Sequence, residues 1–183
     1  MEIRFDEQVA IVTGAGRGLG RAHAIAMAQK GAKVVVNDFS GSQEISENAN
    51  SVVEEIISAG GEAIANGANV ANFDQVQCMV NETIDKWGRV DILVNNAGIL
   101  RDKTFLKMSV EDMREVIDVH LMGSLNCSKA VWETMREQSY GRIVLTSSSS
   151  GLYGNFGQTN YGAAKMAMVG IMNTLHLEGM KYN

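Results

Sequence analysis

No stretch of the 183 residues runs eighteen apolar side chains in a row, and no basic-then-apolar leader opens the chain. The first absence disfavours a membrane-spanning helix and the second disfavours secretion. Only two cysteines occur, Cys78 and Cys127, both in segments that read as helices. Without histidines nearby they make neither a disulfide framework nor a zinc site, and they are expected to be buried thiols. His23 and His176 likewise have no neighbours that suggest metal binding or catalysis, so no metal site is expected. There is no basic run: 16 Lys and Arg stand against 21 Asp and Glu, a net charge of −5, which disfavours a nucleic-acid partner. Repeats and low-complexity segments are also missing. What remains is a soluble, intracellular single domain over residues 1–183, long enough to bury a real core.

What the chain does have is a glycine turn in the right setting. Val9–Val12 is a short apolar, β-branched segment that reads as a buried strand, and a helical pattern runs from Arg21 to Gln29 before Gly31. Between them lies Thr13-Gly-Ala-Gly-Arg-Gly-Leu-Gly20. Gly14 permits the tight turn, Gly18 lets backbone approach a pyrophosphate, and Gly20 lets helix and strand pack closely. The helix N-terminus then offers free N–H groups and a favourable dipole to phosphate. A second strand, Lys33–Asp38, ends in a carboxylate where a dinucleotide's adenosine ribose would lie. Asp38 repels a 2′-phosphate and so favours NAD over NADP, unless it only caps a turn. Arg17 pulls the other way, because it can pair with a 2′-phosphate, but a flexible arginine can also point to water.

The second constellation is Tyr161-Gly-Ala-Ala-Lys165, with Ser148 thirteen residues before the tyrosine. Tyr and Lys four apart on a helix project from one face. A lysine cation beside a phenol favours the phenolate, the condition for acid/base work near neutral pH. A serine at the end of a neighbouring strand can hydrogen-bond the oxygen that gains or loses charge. The three roles fit carbonyl reduction or alcohol oxidation.

Alternation of strand and helix continues along the chain. Strands are expected near 8–13, 33–38, 62–68, 90–95 and 142–148, and helices near 19–30, 44–59, 73–87, 109–137 and 160–180. Ser109 and Asp112 resemble a capping box at the start of the long helix. Phe39 to Glu44 reads as a loop. The pattern predicts an α/β, Rossmann-like doubly wound parallel sheet of strand order 3-2-1-4-5, with ligand at the carboxyl ends of the strands. Met113, Val116, Ile117, Leu121, Leu125, Val131, Trp132 and Met135 spread widely around the long helix. They form either one buried stripe with ordinary exposed apolar residues or a subunit interface.

With Thr13–Gly20, Asn95-Asn-Ala-Gly98, Ser148 and the Tyr161/Lys165 pair in order, the sequence resembles the short-chain dehydrogenase/reductase family over nearly its whole length. Further stretches resemble the 3-hydroxyacyl-CoA dehydrogenase domains of peroxisomal multifunctional enzyme type 2 and their bacterial relatives: Arg4-Phe-Asp6, Val35-Val-Asn-Asp38, Gly98-Ile-Leu-Arg-Asp102, Val119-His-Leu121 and Gly151–Gln158. Acyl-carrier-protein ketoreductases share several of them.

The resemblance implies Tyr161 as general acid/base, Lys165 as its partner and holder of the nicotinamide ribose, and Ser148 as orienter of the substrate oxygen. It also implies a cofactor channel through Gly14, Arg17, Gly18, Leu19, Gly20, Asp38, Asn69, Val70, Asn96 and Gly98, with Asn69 and Val70 flanking the adenine. His120 stands where the family often has an asparagine of a proton relay, so it is a relay residue or a packed helix histidine. The implied substrate is a 3-hydroxyacyl or 3-oxoacyl thioester, and the implied assembly a homodimer or homotetramer. The compartment is cytoplasmic, or peroxisomal in a eukaryote. The family usually runs about seventy residues further, through a Pro-Gly stretch, whereas this sequence has no proline. The expectation is therefore a domain C-terminally incomplete relative to the family, with an unprotected edge on its fifth strand. Its function is then NAD-dependent 3-hydroxyacyl oxidation, its ketoreductase neighbour, or nucleotide binding without chemistry.

Overall fold

A computed structural model of the chain describes residues 3–42 and 44–183. Five parallel strands, β1 (Val9–Val12), β2 (Lys33–Asn37), β3 (Glu62–Asn66), β4 (Ile92–Asn95) and β5 (Arg142–Leu145), form one sheet of order β3-β2-β1-β4-β5, as the alternation predicts. Residues 1, 2 and Gln43, the last within the loop expected over 39–44, lie outside the described residues.

Strand alternation divides the core in two. Ala10, Val12, Val34, Val36, Ile92 and Val94 point to one face of the sheet and pack with Ala24, Ala28, Val52 and Ile56. These last come from α1 (Gly18–Gln29) and α2 (Glu47–Ser58). Ile11, Val35 and Leu93 point to the other face and pack with Val76, Met79 and Val80 of α3 (Phe73–Trp87), and with Cys127 and Val131 of α5 (Gly123–Gln138). Each fully buried Val, Leu or Ile contributes about 1.5–3 kcal/mol of transfer free energy. Because both faces are covered there, the central strands β1, β2 and β4 carry continuous apolar runs rather than half-polar ones. Asp91, fully buried just before β4, is satisfied by the Val9 amide at 2.9 Å and by a two-pronged contact from Arg89 at 2.7 and 2.8 Å. It anchors the strand and has no part in the cleft.

Three expectations are corrected. The second helix begins at Glu47, not 44, because the Ser46 side chain accepts from the Ala49 amide and caps it there. The helix expected over 109–137 is not continuous. A capping box of Ser109 and Asp112 opens α4 (Val110–Ile117), a π-helical turn follows at Asp118–Met122, and α5 completes the rod. Cys78 is exposed on α3, while Cys127 is buried as expected and its thiol is pushed up to about 12 by burial. A short helix that the periodicity does not reveal, α6 (Ser149–Tyr153), precedes α7 (Thr159–Gly179). β5 is the outer strand of the described sheet. An apolar groove of about 500 Å³ lies between it, α5 and α7, lined by residues such as Trp132, Leu145 and Met172.

Candidate functional site

Register brings the motifs together. Val12 lies level with Val36 and Val94, and Asn95 with Leu145. The chain therefore leaves β1, β2, β4 and β5 along one edge, at Thr13, Asp38, Asn96 and Thr146. Thr13, 1 % exposed, is the knot of this edge. Its Oγ1 accepts from the amides of Asn96 and Ala97, both at 3.0 Å. The Asn96 side-chain amide in turn donates to the carbonyls of Thr13 at 2.9 Å and Gly14 at 3.1 Å. Asn96 thus acts in the structure as a lock on the glycine turn. Thr13 carries more of the site than its motif position alone conveys. The signal was a hydroxyl closing an otherwise apolar strand.

The glycines of the turn differ in what requires them. Gly14 has φ +61°, and a side chain there would meet the Ala97 backbone at 2.8 Å. Gly18 has φ +55° with open space before it, whereas a Cβ on Gly20 would overlap the Gly14 carbonyl. The N-termini of α2, α3 and α4 are capped by Ser46, Asn72 and Ser109, but α1 has no side-chain cap. Its first-turn amides have no side-chain partner among the described residues and lie beside the open space at Gly18, which fits a pyrophosphate. Arg17 and Leu19 are exposed at the same turn. Asp38 accepts from Ser46 at 2.8 Å, and its carboxylate fills the place a side chain on Gly16 would take. Asn69 bonds the Ala71 amide at 3.0 Å. Val70 is 6 % exposed beneath Gly123, and its carbonyl accepts from Asn126 at 2.9 Å.

Beside this channel stand the polar residues of the second constellation. Ser148 is the N-cap of α6, its Oγ accepting from the Ser150 amide at 3.1 Å and keeping its own proton free to donate. Tyr161 is half-buried on the first turn of α7, and the Lys165 ammonium lies 5.6 Å from its ring centroid while donating to the Thr146 carbonyl at 2.6 Å. His120, 3 % exposed, is carried inward by the π-turn. Its ring meets Tyr161 edge-on at 5.2 Å and 88°. Its Nε2 lies 3.1 Å from the Ile99 amide and 2.8 Å from the Ile99 carbonyl, and its buried Nδ1 has no partner among the described residues. A side chain on Gly98 would overlap the ring, so Gly98 admits the histidine. Burial holds the His120 pKa below its usual value, with the Lys165 charge adding to the effect against the Ile99 hydrogen bond, so the imidazole is neutral at neutral pH.

Burial also lowers Lys165 from 10.5 to about 8. Unfolded chains then bind this proton more tightly than folded ones, so the group's contribution to stability rises with pH between about 8 and 10.5. Lys165→Met removes the titration. The melting temperature of the variant minus that of the parent should fall, whatever its sign at the start, as pH is raised across that window. A difference that stays flat would show that the ammonium titrates in the folded chain as it does in water.

The chain matches the short chain dehydrogenase family over residues 8–183. It is 50% identical to peroxisomal multifunctional enzyme type 2 of Drosophila melanogaster over 186 aligned positions, covering all of this chain and 31% of that one. It is also 50% identical to a 3-oxoacyl-[acyl-carrier-protein] reductase of Synechocystis, over 93% of this chain and 68% of the relative. Its fold superposes with a TM-score of 0.91, at 32% identity, on a 7α-hydroxysteroid dehydrogenase solved with NADH and 7-oxo glycochenodeoxycholic acid, covering 98% of this chain and 68% of that one. The chain thus spans under a third of the fly enzyme and about two thirds of the other two. A glycine turn locked by Thr13 and Asn96, with Ser148, Tyr161 and Lys165 beside it, agrees with these matches: the chain belongs to the short chain dehydrogenase family.

Proposed function

We propose that the chain binds NAD along the carboxyl edge of its sheet and catalyses hydride transfer between NAD and a 3-hydroxyacyl or 3-oxoacyl thioester. The observation that carries this reading is the placement of Tyr161, with Lys165 over its ring, beside a glycine turn whose helix amides have no side-chain partner among the described residues. A bound nicotinamide supplies or accepts the hydride. The chain's own residues manage position and the proton. In oxidation the substrate C–H gives up hydride and its O–H gives up a proton. Tyr161 takes that proton, Ser148 donates a hydrogen bond to the same oxygen, and the Lys165 cation stabilises the charge that passes through the phenol. His120 belongs to the relay, because a buried Nδ1 without a protein partner is a place for an ordered water. Asn69 and Val70 flank the adenine and Asn96 and Gly98 line the channel near the ribose.

The Synechocystis relative supports the same chemistry in the reductive direction on a carrier-protein thioester. Turnover of 3-hydroxyacyl-CoA with NAD, compared with 3-oxoacyl substrates on CoA and carrier protein, decides between them. Stabilisation by NAD without turnover on any of these would leave nucleotide binding alone. The fly relative's name supports a peroxisomal setting in a eukaryote; in a cell without peroxisomes the proposed compartment is the cytoplasm. Met166 and Met172 of α7, and Leu177 near its end, are 49, 53 and 71 % exposed, and Ile117, Leu121 and Leu125 are only half-buried. Such a surface supports a homodimer or homotetramer through these helices.

Asp38 decides the cofactor in this reading. Asp38→Ala should weaken NAD and raise relative affinity for NADP, so that the ratio of the two dissociation constants moves at least about tenfold, or 1.4 kcal/mol. An unchanged ratio would remove Asp38 from the ribose site.

A further inference from the structure

The loop 100–103 and the segment 149–158 form two walls at Tyr161. The first is tied there through Ile99 and His120. The second is tied through α6, whose Ser150 carbonyl lies 3.0 Å from where a side chain on Gly162 would sit. Exposed apolar side chains, Leu100 on one wall and Leu152, Tyr153 and Phe156 on the other, rise from both.

Among the described residues, the Gln158 side chain bonds to both walls. Gln158 occupies the N-cap position of α7 without a side-chain cap bond, and its Oε1 accepts from Ser150 Oγ at 2.8 Å and Asn155 Nδ2 at 2.9 Å. Its Nε2 donates to the Asp102 carboxylate at 2.7 Å. Chemistry fixes which end is which, because a carboxylate can only accept. The main chain repeats the tie where the Lys103 amide donates to the Gly157 carbonyl at 2.9 Å, and the Gly162 amide, donating to the Gln158 carbonyl at 2.7 Å, closes the first turn of α7 onto the latch. Beneath it lies Asn160, 4 % exposed, whose Oδ1 accepts from the Tyr161 amide at 2.8 Å. We propose that Gln158 is a positioning residue: through Asp102 and Ser150 it latches the two walls into one unit and so sets the substrate's pose over Tyr161. The catalytic consequence rests on the reading of Tyr161 given above; the latch itself does not.

The test reverses the polarity of the latch. Gln158→Glu keeps both acceptor contacts but sets two carboxylates face to face. Pairing it with Asp102→Asn restores an N–H···O bond running the other way. Gln158→Glu should lower kcat/KM for the acyl substrate roughly ten- to hundredfold, as misplacement of a reacting group does, while the dissociation constant of NAD stays unchanged. The double variant should return to within about threefold of the parent. Hydrogen exchange supplies a readout free of activity: the Lys103 and Gly162 amides should exchange faster in the single variant and regain protection in the double. Parent-like exchange and turnover in Gln158→Glu, or a double variant no better than the single, would overturn the latch. If the parent turns over no thioester, the reaction reading fails and the exchange data alone decide the latch.

Discussion

Tyr161→Phe is expected to lower turnover roughly a thousandfold, the scale of a lost general acid/base, and to leave NAD-induced stabilisation intact. The substitution removes one oxygen and nothing else. The ring keeps its edge-on contact with His120 at 5.2 Å and stays beneath the Lys165 ammonium, 5.6 Å from the centroid. The amide of residue 161 keeps its bond to Asn160. The Tyr161 hydroxyl has no hydrogen-bond partner among the described residues, so its loss strands no buried group there. A fall in kcat with little change in melting temperature would separate chemistry from folding. Parent-like turnover would take the proton-handling role away from Tyr161 and leave Ser148 or an ordered water to fill it.

Most of the frame was legible because it rests on local, repeating signals. Runs such as Val34-Val35-Val36 mark strands buried on both faces, and glycines such as Gly31, Gly60 and Gly88 mark the turns that follow α1, α2 and α3. The strand order then follows from right-handed crossovers. What was hidden depends on contacts distant in sequence. The π-turn at Asp118–Met122 cannot be seen in a 3.6-residue pattern, since it is one extra residue in an otherwise unbroken helix. Its reason appears only when His120 is found against Gly98, Ile99 and Tyr161. α6 is a five-residue turn in a run of serine and glycine, too short for periodicity. Cys78 misled because cysteine is usually buried, while its place on α3 falls one residue before the buried pair Met79 and Val80. The Ser148, Tyr161 and Lys165 trio was visible as spacing. Among the residues that support the site, Thr13 and Asn160 act through side chain to backbone bonds and Gln158 through side chain to side chain bonds, none of which spacing announces.

The largest effect on cofactor binding should come from Gly20→Ala. Among the glycines of the turn, Gly20 is the one whose added methyl would meet backbone on two sides, the Gly14 carbonyl and the Ala15 Cα at 2.9 Å, with the Asn96 amide as the third neighbour. Gly16 would meet the carboxylate of Asp38 and the side chain of Asn48, which can rotate aside; the Gly14 carbonyl cannot, because it already accepts from Asn96 at 3.1 Å. Relief therefore requires α1 to move away from β1. That shift breaks the lock between Asn96 and the turn and withdraws the first-turn amides from the phosphate position. Overpacking of this kind costs about 1–3 kcal/mol of stability. NAD affinity should fall by roughly a hundredfold, about 2.7 kcal/mol, which NAD titration followed by melting temperature would register as the loss of most of the ligand shift. A variant that folds at parent stability and keeps the full NAD shift would mean that helix and strand do not pack at this glycine as closely as the structure shows, and that the pyrophosphate is held elsewhere.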